Sequence, residues 1–257
     1  MERKSKEQYT DANMSHRSRR FIVARHGETD FNRERRVQGT SNESVLTDKG
    51  VSQAKALGVY ISKRGTVART FCSPLSRCRQ SYAEISGICA ANNNPLPDPT
   101  ILDNLEEIDL KEWQGRLRND IMIEDKTNWD IFRANPCDLR LQNGTFAPVL
   151  DCFERAISNW NVIRSDAASN SADVTFIMCH GAIGQCMLLQ ALGLDKKEYG
   201  KSRGYALDNC ECFEVEFESD ESEYSSRWRR IDSSQTASGW KSTYASQLVA
   251  TTLITCR

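Results

Sequence analysis

A chain of 257 residues, 39% hydrophobic and 27% charged, can bury one good core, and α/β folds of this length are commonly a single domain. A formal net charge of −1 excludes a nucleic-acid binder that relies on an overall basic surface, while leaving room for a local cationic pocket. No apolar run approaches the roughly 20 residues that span a bilayer and no apolar signal segment opens the chain; neither nucleic acid nor membrane is expected as a partner, and the expected setting is cytoplasmic.

Residues 1–19 are polar and basic-leaning, without periodicity, and read as a disordered tail. Organelle targeting is open to such a tail, although its acidic residues count against it. Strands and helices then alternate. "RFIVARHG" reads as a strand. In "LTDKGVSQAKALGVYISKRG" the helical spacing of Val51, Ala54, Leu57 and Ile61 predicts a helix, N-capped by Thr47 and ended by Gly65. "ARTFCSP" is a short strand, and Pro74 starts a helix that fades by the "NNNP" turn.

Residues 112–160 interrupt the alternation. They hold Trp113, Trp129 and Trp160 and read as a mostly helical insertion, its tryptophans assigned to the core and its basic residues, such as Arg118 and Arg133, to solvent. "DVTFIMCHG" is a nearly continuous apolar run, as expected of a strand buried on both faces. "AIGQCMLLQALGLD" follows as a helix closed by Gly193, and "CECFEVEF" pairs with "SRWRRID" across the acidic turn "ESDESEYS". Residues 233–257 form a Ser/Thr-rich C-terminal extension.

This alternation predicts an α/β fold with a mainly parallel sheet and helices on both faces, in which ligands bind beyond the carboxyl ends of the strands. "ARHG" and "MCHG" both fall at that end of their strands. The ten cysteines form no CxxC pair, and Cys210 and Cys212 lack zinc-site spacing. They are read as reduced and partly buried, which leaves the sequons at Asn42 and Asn143 without meaning.

A phosphoryl group needs its oxygens neutralised, an in-line nucleophile and an acid for the leaving oxygen. His26 offers an imidazole competent near neutral pH. Arg25 can fork onto two phosphoryl oxygens. Arg77, at the start of a helix, supplies a second guanidinium beside free backbone N–H groups, and His180 heads another helix. Two imidazoles and two guanidiniums around one phosphate require no metal.

In this order, "RHGETDFN", "SPLSRCRQS", "LEEIDLKEWQG" and "CHGAIGQ" resemble the signature stretches of the histidine phosphatase superfamily, which includes the cofactor-dependent phosphoglycerate mutases. The resemblance covers roughly residues 20–232 and implies a three-layer α/β/α domain of the phosphoglycerate mutase type, with the 112–160 insertion lying over the cleft as a lid. It implies that His26 is the nucleophile, carried as a phosphohistidine, and that Arg25, Arg77 and His180 hold the phosphate. Asn32 and the backbone near Gly181 would assist, and Gln38 with Gly39 would line the same cleft. The proton donor of the family motif falls on Glu107, with Glu106 as the alternative. One position departs from the pattern: the family glycine after "EID" and one residue is Lys111 here, where a glycine signals a positive φ or close packing near the acid. A lysine there can also turn a positive charge toward the substrate.

The mutases carry a "GWxD" stretch and an "ERHYG" motif, whereas this chain has "QGTSNES" and "EEIDLKEWQG", which resemble the phosphatase branch, where water accepts the phosphoryl group. "EIDLKEWQG" followed by a helical insertion also resembles the 2-carboxyarabinitol 1-phosphate phosphatases, a hint about substrate. The expectation is a metal-independent phosphomonoesterase, without cofactor, acting on a small anionic sugar or sugar-acid phosphate. The alternatives are a 2,3-bisphosphoglycerate-dependent mutase and a phospho-ligand binder without turnover; a pure binder has no use for Glu107. Sheet-edge dimers occur in the family, so a homodimer is open to the chain.

Overall fold

The computed structural model describes residues 18–166, 174–201, 203–219, 224–232 and 241–244. The N-terminal tail (through residue 17), residues 220–223 of the acidic turn and all of the C-terminal extension except 241–244 lie outside the described residues.

In strand β1 (Ser18–Arg25) successive side chains face opposite layers. Phe21 and Val23 join one buried cluster, and Ile22 and Ala24 join the other. A strand sealed on both faces must be covered by helices on both. Among the described residues strands β2 (Val67–Cys72), β3 (Thr100–Ile101), β4 (Val174–Cys179), β5 (Cys212–Ser219), β6 (Tyr224–Ile231) and β7 (Lys241–Tyr244) complete a seven-stranded sheet in the order β3-β2-β4-β1-β5-β6-β7. The pairings β3–β2, β2–β4 and β4–β1 are parallel, whereas β5, β6 and β7 each run antiparallel to the strand before them in that order. Strands β1, β2, β3, β4 and β6 therefore share one direction, and the sheet is mainly parallel. The short strands β3 and β7 at its edges are the two that sequence patterning did not single out.

Among the described residues seven α-helices accompany it: α1 (Asp30–Glu34), α2 (Asp48–Ile61), α3 (Ser76–Ala91), α4 (Arg118–Glu124), α5 (Lys126–Ala134), α6 (Pro148–Asp166) and α7 (Gly181–Ala191). Ala54, Leu57 and Ile61 of α2 and Cys78, Ile85 and Cys89 of α3 bury against Ile22 and Ala24. Phe153, Ala156, Trp160 and Ile163 of α6 and Ile183 and Met187 of α7 bury against Phe21 and Val23. Trp160 sets its ring edge-on to Phe21, centroids 5.3 Å apart, and donates Nε1–H to the Met187 carbonyl at 2.8 Å, so its polar atom is satisfied inside the layer.

Local signals act as the sequence predicts. Thr47 caps α2 by accepting from Gly50 N, and Gly193, at φ +64°, follows α7. Helix α2 stops at Ile61 and Gly65 turns the chain at φ +95°; α3 begins two residues after Pro74. The nine described cysteines are free thiols, eight of them buried. No helix of the described residues is long and apolar enough to cross a membrane.

Candidate active site

The parallel pairing of β1 with β4 aligns Arg25 with Cys179. The next residues, His26 and His180, therefore leave the sheet side by side at its carboxyl edge. Their ring centroids are 5.2 Å apart, with 67° between the ring planes.

His26 is buried, and its Nδ1 lies 2.7 Å from the Gly27 carbonyl oxygen. A carbonyl only accepts, so Nδ1 carries the hydrogen and Nε2 keeps its lone pair. Burial, and then the charges of Arg77 and Arg25, hold this imidazole well below its usual range. It is a neutral ring with one nitrogen free to attack.

His180 is wholly buried. Arg77 donates Nε–H to its Nδ1 at 3.2 Å, which leaves Nε2 as the protonated nitrogen, 2.7 Å from Ser73 Oγ. Burial again pushes the ring well below its usual range, followed by Arg77, His26 and Arg25. His180 does not line the cleft; it stands one layer back, behind Arg77 and beside His26. There it accepts from Arg77 and stands beside the His26 ring.

Arg77 is fully buried at the start of α3, and it donates to the Ser41 carbonyl and to the Gly39 carbonyl, each at 2.7 Å. Those carbonyls belong to a tight loop. Gly39 has φ +51°, and a Cβ there would fall 2.1 Å from Gln114 Oε1, so a side chain would be strained and would displace Gln114. Gln114 Oε1 also accepts from Thr40 N, from Thr40 Oγ1 at 3.0 Å and from Ser41 N at 3.2 Å. Arg25 donates Nη1–H to the Leu207 carbonyl at 2.9 Å, while its buried Nε has no hydrogen-bond partner among the described residues.

Between the two glutamates the geometry discriminates. Glu107 lines the cleft; Glu106 does not. Glu107 Oε1 accepts from Ile108 N at 2.9 Å, Ala182 N at 3.0 Å and Ile183 N at 3.2 Å. The Ala182 and Ile183 N–H groups at the head of α7 are thus taken by this carboxylate, whereas the Gly181 N–H has no partner among the described residues. The Ser76 N–H of α3 goes to Asn42 Oδ1 at 2.6 Å, so that helix head too is capped from within the chain. Burial raises the Glu106 carboxyl.

Asn32 lines the cleft through a capping box with Thr29, and its Oδ1 also accepts from Asn209 Nδ2 at 3.1 Å. Gln38 spends its Oε1 on Thr29 Oγ1 at 3.1 Å and Ser44 Oγ at 2.8 Å. Gly181 is not in the cleft wall; it packs against Arg25, whose Nε lies 3.5 Å from where a Cβ would stand. Lys111 has a positive φ, +45°, of the kind glycine adopts freely, and its Nζ turns to Asp109 Oδ2 at 2.5 Å rather than into the cleft.

The cleft holds about 230 Å3, and five arginines line it (Arg25, Arg36, Arg77, Arg118, Arg133) against one carboxylate, Glu107. The insertion contributes more than the sequence suggested. Trp113 is buried in the core and borders the cleft from there, and Trp129, Phe132 and Arg133 of α5 and Arg118 of α4 line it too. Neither the Arg118 nor the Arg133 side chain has a hydrogen-bond or ion-pair partner among the described residues. Partial burial, and then the charges of Arg25, Arg35 and Arg133, lower the Arg118 guanidinium from its usual range.

Sequence reasoning also missed the residues that hold the others. Arg155 of α6 donates to the carbonyls of Glu106 at 2.7 Å and Glu107 at 3.1 Å, and Asn209 Nδ2 donates to the His26 carbonyl at 3.1 Å. No local motif marks them. For α5 a signal existed: Trp129, Phe132 and Arg133 stand at i, i+3 and i+4, one face of a helix.

An α/β domain that sets two histidines and a buried arginine at the carboxyl edge of its sheet belongs to a recognisable class. The chain is a member of the histidine phosphatase superfamily (branch 1), whose family model matches residues 21–229. It is 29% identical over 200 residues to the 2-carboxy-D-arabinitol-1-phosphatase of Triticum aestivum, a match that covers 78% of this chain and 37% of the wheat protein. It thus spans little more than a third of that relative's length. Against the "Probable phosphoglycerate mutase GpmB" of Escherichia fergusonii it is 28% identical over 219 residues, covering 85% of this chain and 88% of the other. Among solved structures, the mycobacterial glucosyl-3-phosphoglycerate phosphatase shares the fold with a TM-score of 0.64 at 20% identity, over 82% of this chain and 96% of that one.

Proposed function

We propose that the protein is a phosphomonoester hydrolase that works through a phosphohistidine on His26, without a metal ion, on a small phosphorylated metabolite bearing a second anionic group. The observation that carries this reading is the neutral His26 ring, its Nδ1 tied to the Gly27 carbonyl and its Nε2 free, lining one cleft with Arg25, Arg77 and Glu107.

In the first step Nε2 forms a bond to phosphorus as the bond to the ester oxygen breaks, and Glu107 gives that oxygen a proton. In the second step Glu107 takes a proton from water, whose oxygen bonds to phosphorus as the phosphorus–nitrogen bond breaks, releasing orthophosphate and restoring His26. Arg25 and Arg77 neutralise the phosphoryl oxygens. An anion would also satisfy the buried Arg25 Nε, an orphan donor that otherwise costs about 1–3 kcal/mol.

Arg118 and Arg133, which α4 and α5 bring to the same cleft, suit a carboxylate or second phosphate on the same molecule. Two of the similar proteins carry names that denote phosphates of sugar acids, the wheat carboxyarabinitol phosphatase and the mycobacterial glucosyl-3-phosphoglycerate phosphatase. The mutase reading rests on the near-full-length match to GpmB.

The test incubates the protein, with chelator present, on a panel of phosphomonoesters, and on 3-phosphoglycerate with and without 2,3-bisphosphoglycerate. Phosphate release that falls by about 10⁴-fold or more in His26→Ala supports the hydrolase. Isomer formation dependent on bisphosphate would establish the mutase instead, and loss of turnover with chelator would overturn the metal-independent mechanism.

A further inference from the structure

A second cleft, of about 310 Å3, opens where the turn after α5 meets the turn after α7, and no residue that lines it lines the catalytic cleft. Its volume falls at the lower end of small-molecule sites, about 300–1,000 Å3. The walls are Ala134, Asn135, Pro136, Cys137, Asp138, Arg140 and Leu150 on one side and Lys196, Lys197 and Lys201 on the other. Four cations therefore face one carboxylate.

The junction between the walls is built. Gly200, at φ +75°, lets the lysine-bearing turn come so close to Pro136 that a Cβ would sit 3.0 Å from the proline Cγ. The Cys137 thiol bonds the Lys196 carbonyl at 3.3 Å, and Asp195 Oδ1 accepts from Lys197 N at 2.7 Å and so holds the turn that carries both lysines. Arg140 is fixed by two carbonyls, Cys137 O at 2.9 Å and Leu139 O at 2.8 Å, which leaves its other nitrogens for a ligand.

The positive charges are largely uncompensated. Lys201 makes a loose, exposed pair with Glu198 at 3.4 Å, and neither Lys196 nor Lys197 has a carboxylate partner among the described residues. Holding such charges together costs repulsion that an anion removes. Burial raises the Cys137 thiol; Lys196 and Lys201 act against that rise, and Asp138 and Asp195 add to it.

We propose that this second cleft binds a small phosphorylated anion. Lysine ammoniums are point charges that suit phosphoryl oxygens from several directions, and Arg140 adds a directed fork. A concavity of this size fits a metabolite rather than a protein surface.

Cys137 makes the test site-specific, because it is half-buried while the other eight described cysteines are buried. The full chain is alkylated with iodoacetamide, in inorganic pyrophosphate or in potassium chloride of equal ionic strength, and the rate at Cys137 is read by peptide mass spectrometry. Pyrophosphate is expected to slow Cys137 alkylation about fivefold or more, by occlusion and by raising the thiol. The protection should vanish in Lys196→Gln/Lys197→Gln/Lys201→Gln, checked for folding by circular dichroism, and return in Lys196→Arg/Lys197→Arg/Lys201→Arg. An unchanged rate in the parent, or protection that persists in the glutamine variant, overturns the proposal. The readout is independent of the catalytic reading, since Cys137 does not touch that cleft.

Discussion

The two ends of the catalytic cleft are made by different means. At the phosphate end Arg77 is fully buried and spends three nitrogens on Ser41, Gly39 and His180, and the tautomers of both histidines are set by fixed partners. At the far end Arg118 and Arg133 are exposed, lack such partners among the described residues, and sit on helices of seven and nine residues. A preorganised group acts on the transition state, because it needs no rearrangement as charge develops. A loosely held one acts on binding. Substitutions at the first end should therefore lower kcat, and at the second raise KM.

After His26→Ala, the largest effect is expected at Glu107. Glu107→Gln keeps the shape and the backbone N–H contacts but removes the transferable proton, so kcat should fall about 10²- to 10³-fold with KM nearly unchanged. Steady-state kinetics on an ester with a poor leaving group reads both. A variant at the parental rate would move the acid elsewhere, with Glu106 the first candidate.

The rigid end should also betray itself in stability. Burial depresses both His26 and His180 below the usual value of 6.5. Between the depressed folded value and about 6.5 the unfolded chain binds more protons than the folded one, so stability is complete above that range and is lost as pH falls through it. The expected slope is up to about 1.4 kcal/mol per pH unit for each histidine. Urea unfolding at pH 7, 6 and 5 measures it, and His180→Asn should flatten it. A parent whose stability does not change between pH 7 and pH 5 would mean that the rings are not held neutral by the fold.

Next comes the far end. Arg118→Ala and Arg133→Ala should each raise KM about tenfold for a phosphate ester that carries a carboxylate, while leaving p-nitrophenyl phosphate nearly untouched. Equal losses on both substrates would show that the two ends are one structural unit and erase the contrast.

The same contrast decides what could be read from sequence. Strand β1, strand β4 and the residues at their ends were legible because burial on both faces imposes continuous apolar runs, and because His26, Arg77 and His180 carry motif-level spacing. Arg118 and Arg133 were assigned to solvent, as isolated basic residues on short helices usually are. They face the cleft only because Trp113, Trp129 and Phe132 cluster, with centroids 5.7–6.2 Å apart, and because Trp113 Nε1 donates to Asp125 Oδ2 at the α4–α5 joint. That is a tertiary fact with no local period. The helix heads were legible only in part: their N–H groups were visible as anion sites, but the carboxylate that takes the Ala182 N–H of α7 comes from 75 residues away.

Lys111 stands at the joint between the two ends, four residues after Glu107 and opening the short turn that leads to Trp113. Its φ of +45° is a conformation that costs a side chain about 1 kcal/mol or more. Two contacts offset this: the Asp109 pair at 2.5 Å, a partly exposed one worth up to about 1 kcal/mol, and the ammonium 4.3 Å from the Phe146 ring centroid, worth about 0.5–1 kcal/mol. Lys111→Gly removes both the strain and the contacts and adds unfolded-state entropy, so it should land within about 1 kcal/mol of the parent. Lys111→Ala keeps the strain and loses the contacts, and should fall about 1 kcal/mol below the glycine variant. Urea midpoints of the two variants settle the order. Coincident midpoints would mean that the backbone here relaxes without glycine, and that the lysine is held for its charge alone.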